Sequence, residues 1–212
     1  MFEIVSFTLG PVQTNAYLVA DSETKEAVVI DPAWDGHIIL QAAEKRGWRI
    51  GHLWYTHAHF DHIGGAGAIA DALNPLPLVA LHPNDHVLWR AAGGGALFGF
   101  NIDPGPEPTI DFAHGQTLKL GSYEFEVRFT PGHTTGHCVL YVASEKVCFC
   151  GDLIFNGSVG RTDLPGGSWE TLLKSIKEQI FTMPDDTRLL SGHGLMTTVG
   201  NEKVSNPFLE GI

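Results

Sequence analysis

The stretch YTHAHFDHIGG, residues 55–65, places His57, His59, Asp61 and His62 within six consecutive positions. Imidazole and carboxylate are donors that zinc, iron and manganese accept. Packing alone rarely asks for four such groups in so short a run. In a His-x-His pair, alternate side chains can reach one ion. The adjacent Asp61 and His62 can turn towards a second ion as the chain enters a helix. Three more candidates lie further on: His133 in TPGHTTGH, Asp152 in CGDLIF and His193 in LSGHG. Taken singly, each of these three reads as a turn or capping residue, and the 57–62 cluster gives them weight. One tetrahedral or open catalytic ion takes three or four ligands, so seven candidates imply two ions. Asp152 is the natural bridge, because a carboxylate can hold two cations where a neutral imidazole cannot readily do so. Two ions about 3.5–4 Å apart suit hydrolysis, holding both the attacking and the leaving atoms. The other histidines, His37, His52, His82, His86, His114 and His137, lie in helices, strand starts or loops and read as structural. His137 is the nearest of them to a ligand, four positions after His133.

These residues need elements that bring them together, and the chain supplies a regular series. FEIVSFTL, NAYLVAD and EAVVIDPA are rich in β-branched residues and broken by turn residues, as strands are. GHLWYTH and PLVALH follow as strands, with helical spacing in HIILQAAEKRGW, IGGAGAIADALN and HPNDHVLWRAA. The second half restarts with the strands QTLKLG, YEFEVRFT, HCVLYVA, KVCFCGD and TRLL. SWETLLKSIKEQIF reads as a helix with Ser168 as N-cap and an apolar face at Leu172, Leu173, Ile176 and Ile180. All seven candidate ligands fall where a strand gives way to a glycine-containing loop. Elements packed side by side bring such strand ends to one rim. Strands then helices in both halves predict an α/β protein of two mixed sheets packed together with helices outside. No linker divides the chain, so residues 1–212 read as one domain. Residues 93–110 are rich in Gly and Pro and predict a long irregular loop that covers the site or anchors itself through Leu97, Phe98 and Phe100.

Composition narrows the partners. Hydrophobic residues make up 43% of the chain, enough for a sizeable core, and the formal charge is −11. An acidic surface argues against nucleic acid, which requires clustered Lys and Arg. No basic leader and no apolar run of membrane length are visible, so a cytoplasmic protein without a membrane partner is expected. Three cysteines, Cys138, Cys148 and Cys150, do not suggest a disulfide framework. Cys148 and Cys150 alternate along one strand and should share a buried face.

HAHFDH at 57–62, TPGHTTGH at 130–137, the GD of Asp152 and the GHG around His193 resemble the metallo-β-lactamase superfamily, in order and over nearly the whole chain. The resemblance implies an αββα four-layer sandwich with metals at one edge. It implies a first ion on His57, His59 and His133, a second on Asp61, His62 and His193, and Asp152 bridging. GDLIFNGSVGRTDLPGG at 151–167, SGHGLMTTVGNE at 191–202 and NPFL at 206–209 look most like the short, single-domain bacterial subgroup of glyoxalase II-like thioester hydrolases. That likeness implies hydrolysis of S-lactoylglutathione or a related small-molecule acyl thioester, with Asp61 and Asp152 in catalytic roles and two divalent ions, zinc before iron or manganese. In glyoxalase II proper, a C-terminal helical domain holds glutathione, and the short stretch after His193 has no counterpart to it. Arg161 is the candidate to bind a substrate carboxylate, or else it holds its loop by pairing with Asp163. Asp31 is either a support for the ligands or a turn residue before Pro32. The rival reading is a persulfide dioxygenase, which shares the GRTD-like segment and would use one iron on His57, His133 and Asp152. A β-lactamase reading is weaker, since such enzymes typically carry Cys or His where this chain has Asp152.

Overall fold

The computed structural model describes residues 1–212. The first sheet runs β1 (Phe2–Leu9), β2 (Thr14–Asp21), β3 (Glu26–Ile30), β4 (Arg49–Trp54), β5 (Leu78–Leu81) and β6 (Ile110–Asp111), in that spatial order. β1, β2 and β3 pair antiparallel, and β3 to β6 pair parallel. The second half contributes β7 (Thr117–Leu120), β8 (Tyr123–Phe129), β9 (Cys138–Val142) and β10 (Val147–Gly151). A small hairpin, β11 (Ile154–Phe155) and β12 (Ser158–Val159), follows, then β13 (Arg188–Ser191) and β14 (Thr197–Thr198). The second sheet has the order β14-β13-β10-β9-β8-β7, parallel only between β10 and β13. Both sheets are therefore mixed.

The two-residue period of the strands builds the layers. Along β2, Tyr17 and Val19 point between the sheets, while Ala16, Leu18 and Ala20 point to the outer side. Along β10, Val147 and Phe149 face the other sheet, and Cys148 and Cys150 face outward together. The middle layer also holds Ile30, Trp54, Phe125 and Leu140. Each Leu, Ile or Phe buried there stabilises the fold by about 1.5–3 kcal/mol. Outside the first sheet lie α1 (Gly36–Arg46) and α3 (Ala66–Ala72), through Ile39, Ala43 and Ile69. Outside the second lies α5 (Trp169–Ser175), continued by a wide π-type turn at Ile176–Ile180, through Leu172, Ile176 and Ile180. Ser168 caps α5, its Oγ accepting from the Thr171 N–H at 3.3 Å. Two sheets back to back with helices on both outer faces give the expected four layers. All three cysteines are buried and unpaired. No helix is long and apolar enough to cross a membrane.

Short helices complete the rim: α2 (Phe60–Ile63) and α4 (His86–Arg90) near the first sheet, and α6 (Val199–Ser205) beside β14. At the start of the stretch expected to be irregular, Ala92–Phe98 forms short 3₁₀ turns on either side of a kink at Gly93 and Gly94. Gly93 makes this possible: its φ is +64°, and a side chain there would strike the backbone of Ala58 and Phe60. The segment thus lies directly against the His57–His59 loop.

Candidate metal centre

Four strand ends supply the ligands. β4 leads into residues 55–59, β8 into the loop of His133, β10 into Asp152 and β13 into His193. His57 and His59 stand on extended chain, while Asp61 and His62 sit in the single turn of α2. Ligand atoms of His57, His59 and His133 lie within 4.8 Å of one another, as do those of Asp61, His62 and His193. His59 Nδ1 is 2.9 Å from His133 Nε2. Asp152 stands between the two groups. Its Oδ1 lies 3.3 Å from His62 Nε2, and its Oδ2 lies 3.5 Å from both His133 Nε2 and His193 Nε2. All seven predicted side chains come together. Arg161 reaches the centre differently: its guanidinium is turned to Asp163, at 2.7 and 2.8 Å.

Hydrogen bonds at the outer nitrogens fix the tautomers. Asp31 accepts from the Thr56 N–H and from Thr56 Oγ1, both at 2.7 Å. With its proton given to Asp31, Thr56 Oγ1 accepts from His57 Nδ1 at 3.0 Å. Asp31 Oδ2 also accepts from His62 Nδ1 at 3.0 Å. His133 Nδ1 donates to the Arg161 carbonyl at 2.7 Å, and His193 Nδ1 to the Gln13 carbonyl at 3.3 Å. In its neutral form each of the four rings therefore turns an Nε2 lone pair to the centre. Both Asp31 oxygens are engaged, so Asp31 orients ligands although it lies near His57 and His62.

The donor set fits a divalent metal. His57 Nε2, His62 Nε2 and Asp152 Oδ1 are buried, and no protein group hydrogen-bonds to them. Such unmet groups cost about 1–3 kcal/mol each, and cations at the two positions satisfy all three. Charge follows the same division. Burial, then the neighbouring imidazoles, hold His57 well below the ordinary histidine value. Burial and His133 hold His59 at about 3. His57 and His59 are thus neutral at pH 7, as metal-ligating imidazoles must be. The second group pairs ionised carboxylates with imidazoles that they raise against burial, His62 well above the ordinary histidine value and His193 to about 9. Burial would raise Asp61, but His62 and the His193 hydrogen bond bring it to about 2. Asp152 is also held well below the carboxylate range, against burial, chiefly by His62. Two ionised carboxylates so close together call for compensating positive charge.

Several supporting residues escape sequence reasoning. The Asp152 N–H donates to His137 Nε2 at 3.2 Å, and Thr130 Oγ1 lies 2.9 Å from His137 Nδ1. The histidine read as structural thus positions the central carboxylate, and its four-residue spacing from His133 was the available signal. Asp85 accepts from the Ala58 and Gly136 N–H groups and from the Thr134 hydroxyl. Nothing in PND marks it. Thr14 Oγ1 donates to Asp61 at 2.8 Å. Asn15 Nδ2 and Tyr17 hydroxyl both donate to the Ser191 carbonyl, tying the His193 loop to the first sheet. A side chain at Gly192 would collide with Asp152 and His62, so only glycine lets β13 pass.

Known proteins resemble this chain in sequence and fold. Hydroxyacylglutathione hydrolase GloC of Haemophilus influenzae is 37% identical over 93% of both chains. A crystal structure of the protein described as BLEG-1 B3 metallo-β-lactamase superposes with a TM-score of 0.91 at 37% identity, covering 100% of both chains. TTHA1623, in a di-iron-bound form, superposes at 0.88 with 38% identity, covering 97% of this chain and 100% of its own. The family model described as the metallo-beta-lactamase superfamily matches residues 9–193. That match spans all seven candidate ligand residues, and the protein belongs to the metallo-β-lactamase superfamily.

Proposed function

We propose that this metallo-hydrolase cleaves acyl thioesters of the glyoxalase II type, with S-lactoylglutathione or a related small molecule as substrate, using two divalent ions. The observation that carries the reading is Asp152, whose two oxygens face His62 on one side and His133 and His193 on the other. A single ion would leave one of the two ligand groups without a purpose. The thioester class is supported by the 151–167 and 191–202 motifs and by the likeness to GloC. Zinc is the ion we favour for this nitrogen and oxygen donor set, which also accepts iron and manganese.

When bound, the ions polarise a carbonyl and lower the pKa of water. His57, His59 and His133 would hold one, Asp61, His62 and His193 the other, with Asp152 shared. Asp61 remains ionised at neutral pH, so it orients a nucleophile by accepting a hydrogen bond and does not store a proton. Its own position is set by Thr14. Covalent catalysis by cysteine has no support: Cys148 and Cys150 pack against α5, and burial pushes the Cys150 thiol well above its ordinary value.

The test is chelation. Protein stripped of metal should lose at least about 99% of its S-lactoylglutathione hydrolysis, and two equivalents of zinc per chain should restore it. Full activity in verified metal-free protein overturns the proposal. One iron per chain, with oxygen uptake on glutathione persulfide, would establish the dioxygenase reading in its place.

A further inference from the structure

The rim of the metal centre is built almost without positive charge. The segments that carry or flank the ligands are residues 10–14, 31–35, 55–65, 92–100, 130–137, 152–167 and 191–196. Together they contain one Lys or Arg, Arg161. That guanidinium is already held by both oxygens of Asp163. The same segments instead expose apolar groups. On one flank, Val12 is 41% exposed, Leu195 76% and Met196 53%. This flank is fixed to the centre, since Thr14 bridges to His193 and the Phe155 ring lies 6.0 Å from the His193 ring. Beside His59, Leu97 is 77% exposed and Phe98 45%. Phe98 stacks on Phe60, next to His59, with ring centroids 5.5 Å apart. Exposed apolar side chains next to His59 and next to His193 give the buried polar centre an apolar mouth.

Resting on the thioester reading, we propose that this mouth selects substrates whose non-reacting part is uncharged and apolar, so that glutathione's carboxylates contribute nothing to recognition. Val12, Leu195 and Met196 contact one half of such a thioester, and Leu97 and Phe98 the other. An anionic thiol would meet a protein of formal charge −11 and no free cationic side chain at the rim.

The experiment compares two thioesters of the same lactoyl group on the metal-loaded protein: that of glutathione and that of uncharged N-acetylcysteamine. The neutral thioester is expected to have a kcat/KM within about threefold of the glutathione one, or higher. The double variant Leu97→Ser, Leu195→Ser is expected to raise KM for the neutral thioester about tenfold, the scale of lost apolar contacts. Both leucines are more than three-quarters exposed, so metal content and melting temperature should match the parent. A kcat/KM for the neutral thioester more than about tenfold below that for glutathione overturns this inference and leaves the thioester reading standing. An unchanged KM in the double variant also overturns it. Turnover of neither thioester overturns both.

Discussion

Asp85 is the residue on which the first ligand group depends most without touching it. Its Oδ2 accepts from the Ala58 N–H at 3.1 Å and the Thr134 hydroxyl at 2.7 Å, and its Oδ1 from the Gly136 N–H at 2.6 Å. Ala58 separates His57 from His59, and Thr134 follows His133, so one carboxylate joins the two loops of that group. Burial raises this carboxyl, and the three hydrogen bonds pull it back. In Asp85→Asn, an amide NH₂ would face donors on one side or the other. The expected cost is about 1–3 kcal/mol of stability, read from urea midpoints. Metal affinity of the His57–His59–His133 position should fall about 10–100-fold, read by competition with a chromophoric chelator. Unaltered affinity would show that the loops hold themselves. The seven ligands were legible because imidazoles and carboxylates at such spacing have few other uses. The supports were less so: Asp31 read equally as a support or a turn residue, His137 carried only its spacing from His133, and Asp85 carried no signal, because a supporting residue is defined by what folds against it.

Among the elements, those with a full apolar period were readable. VCFCG alternates between two buried faces as β10, and α5 starts at its Ser168 cap. Elements shorter than one period were not. β11, β12 and β14 have two residues each, too few to show alternation. α6 is as long as α5 but is held by a polar side chain, Glu202, which leaves no apolar pattern to read. That buried side chain accepts from Thr197 Oγ1 at 2.5 Å, Asn201 Nδ2 at 2.9 Å, Asn206 Nδ2 at 2.8 Å and the Gly157 N–H at 3.0 Å. It thus ties α6 to the turn of the β11–β12 hairpin, which follows Asp152 directly. Glu202→Ala should leave several donors unmet and destabilise the fold by about 1–3 kcal/mol. Amide exchange at Gly157 should accelerate ahead of global unfolding, because the hairpin loses its outer anchor. If Gly157 exchanges at the parental rate, the hairpin is held by its own pairing instead.

At the scale of the molecule, the sandwich puts chemistry at one end of the strands and a structural clamp at the other. Asp21 ends β2, whose first residue, Thr14, touches the metal centre. Its Oδ2 accepts from the Ser122 N–H at 3.0 Å, in the turn between β7 and β8 of the second sheet, and its Oδ1 from the Glu23 N–H at 3.0 Å. This contact joins the two sheets across 101 residues of chain, a distance over which sequence patterns say nothing about pairing. The Ser122 N–H, opposed by desolvation and helped by Glu23 and the N-terminus, holds the Asp21 carboxyl below its ordinary value of 3.8. A carboxyl depressed by folding stabilises the folded state above its unfolded pKa, and that contribution disappears as pH falls through the folded value. The relevant window therefore lies below pH 3.8. Asp21→Asn, which cannot ionise, should be less stable than the parent at pH 7, and the difference should shrink as pH falls below that value. Urea midpoints of the two proteins at each pH provide the comparison. The metal-site carboxylates titrate in both, and their contribution cancels for a site this remote. A difference that stays constant down to about pH 2 would mean that the Asp21 clamp works through shape alone, with its charge contributing nothing to holding the sheets together.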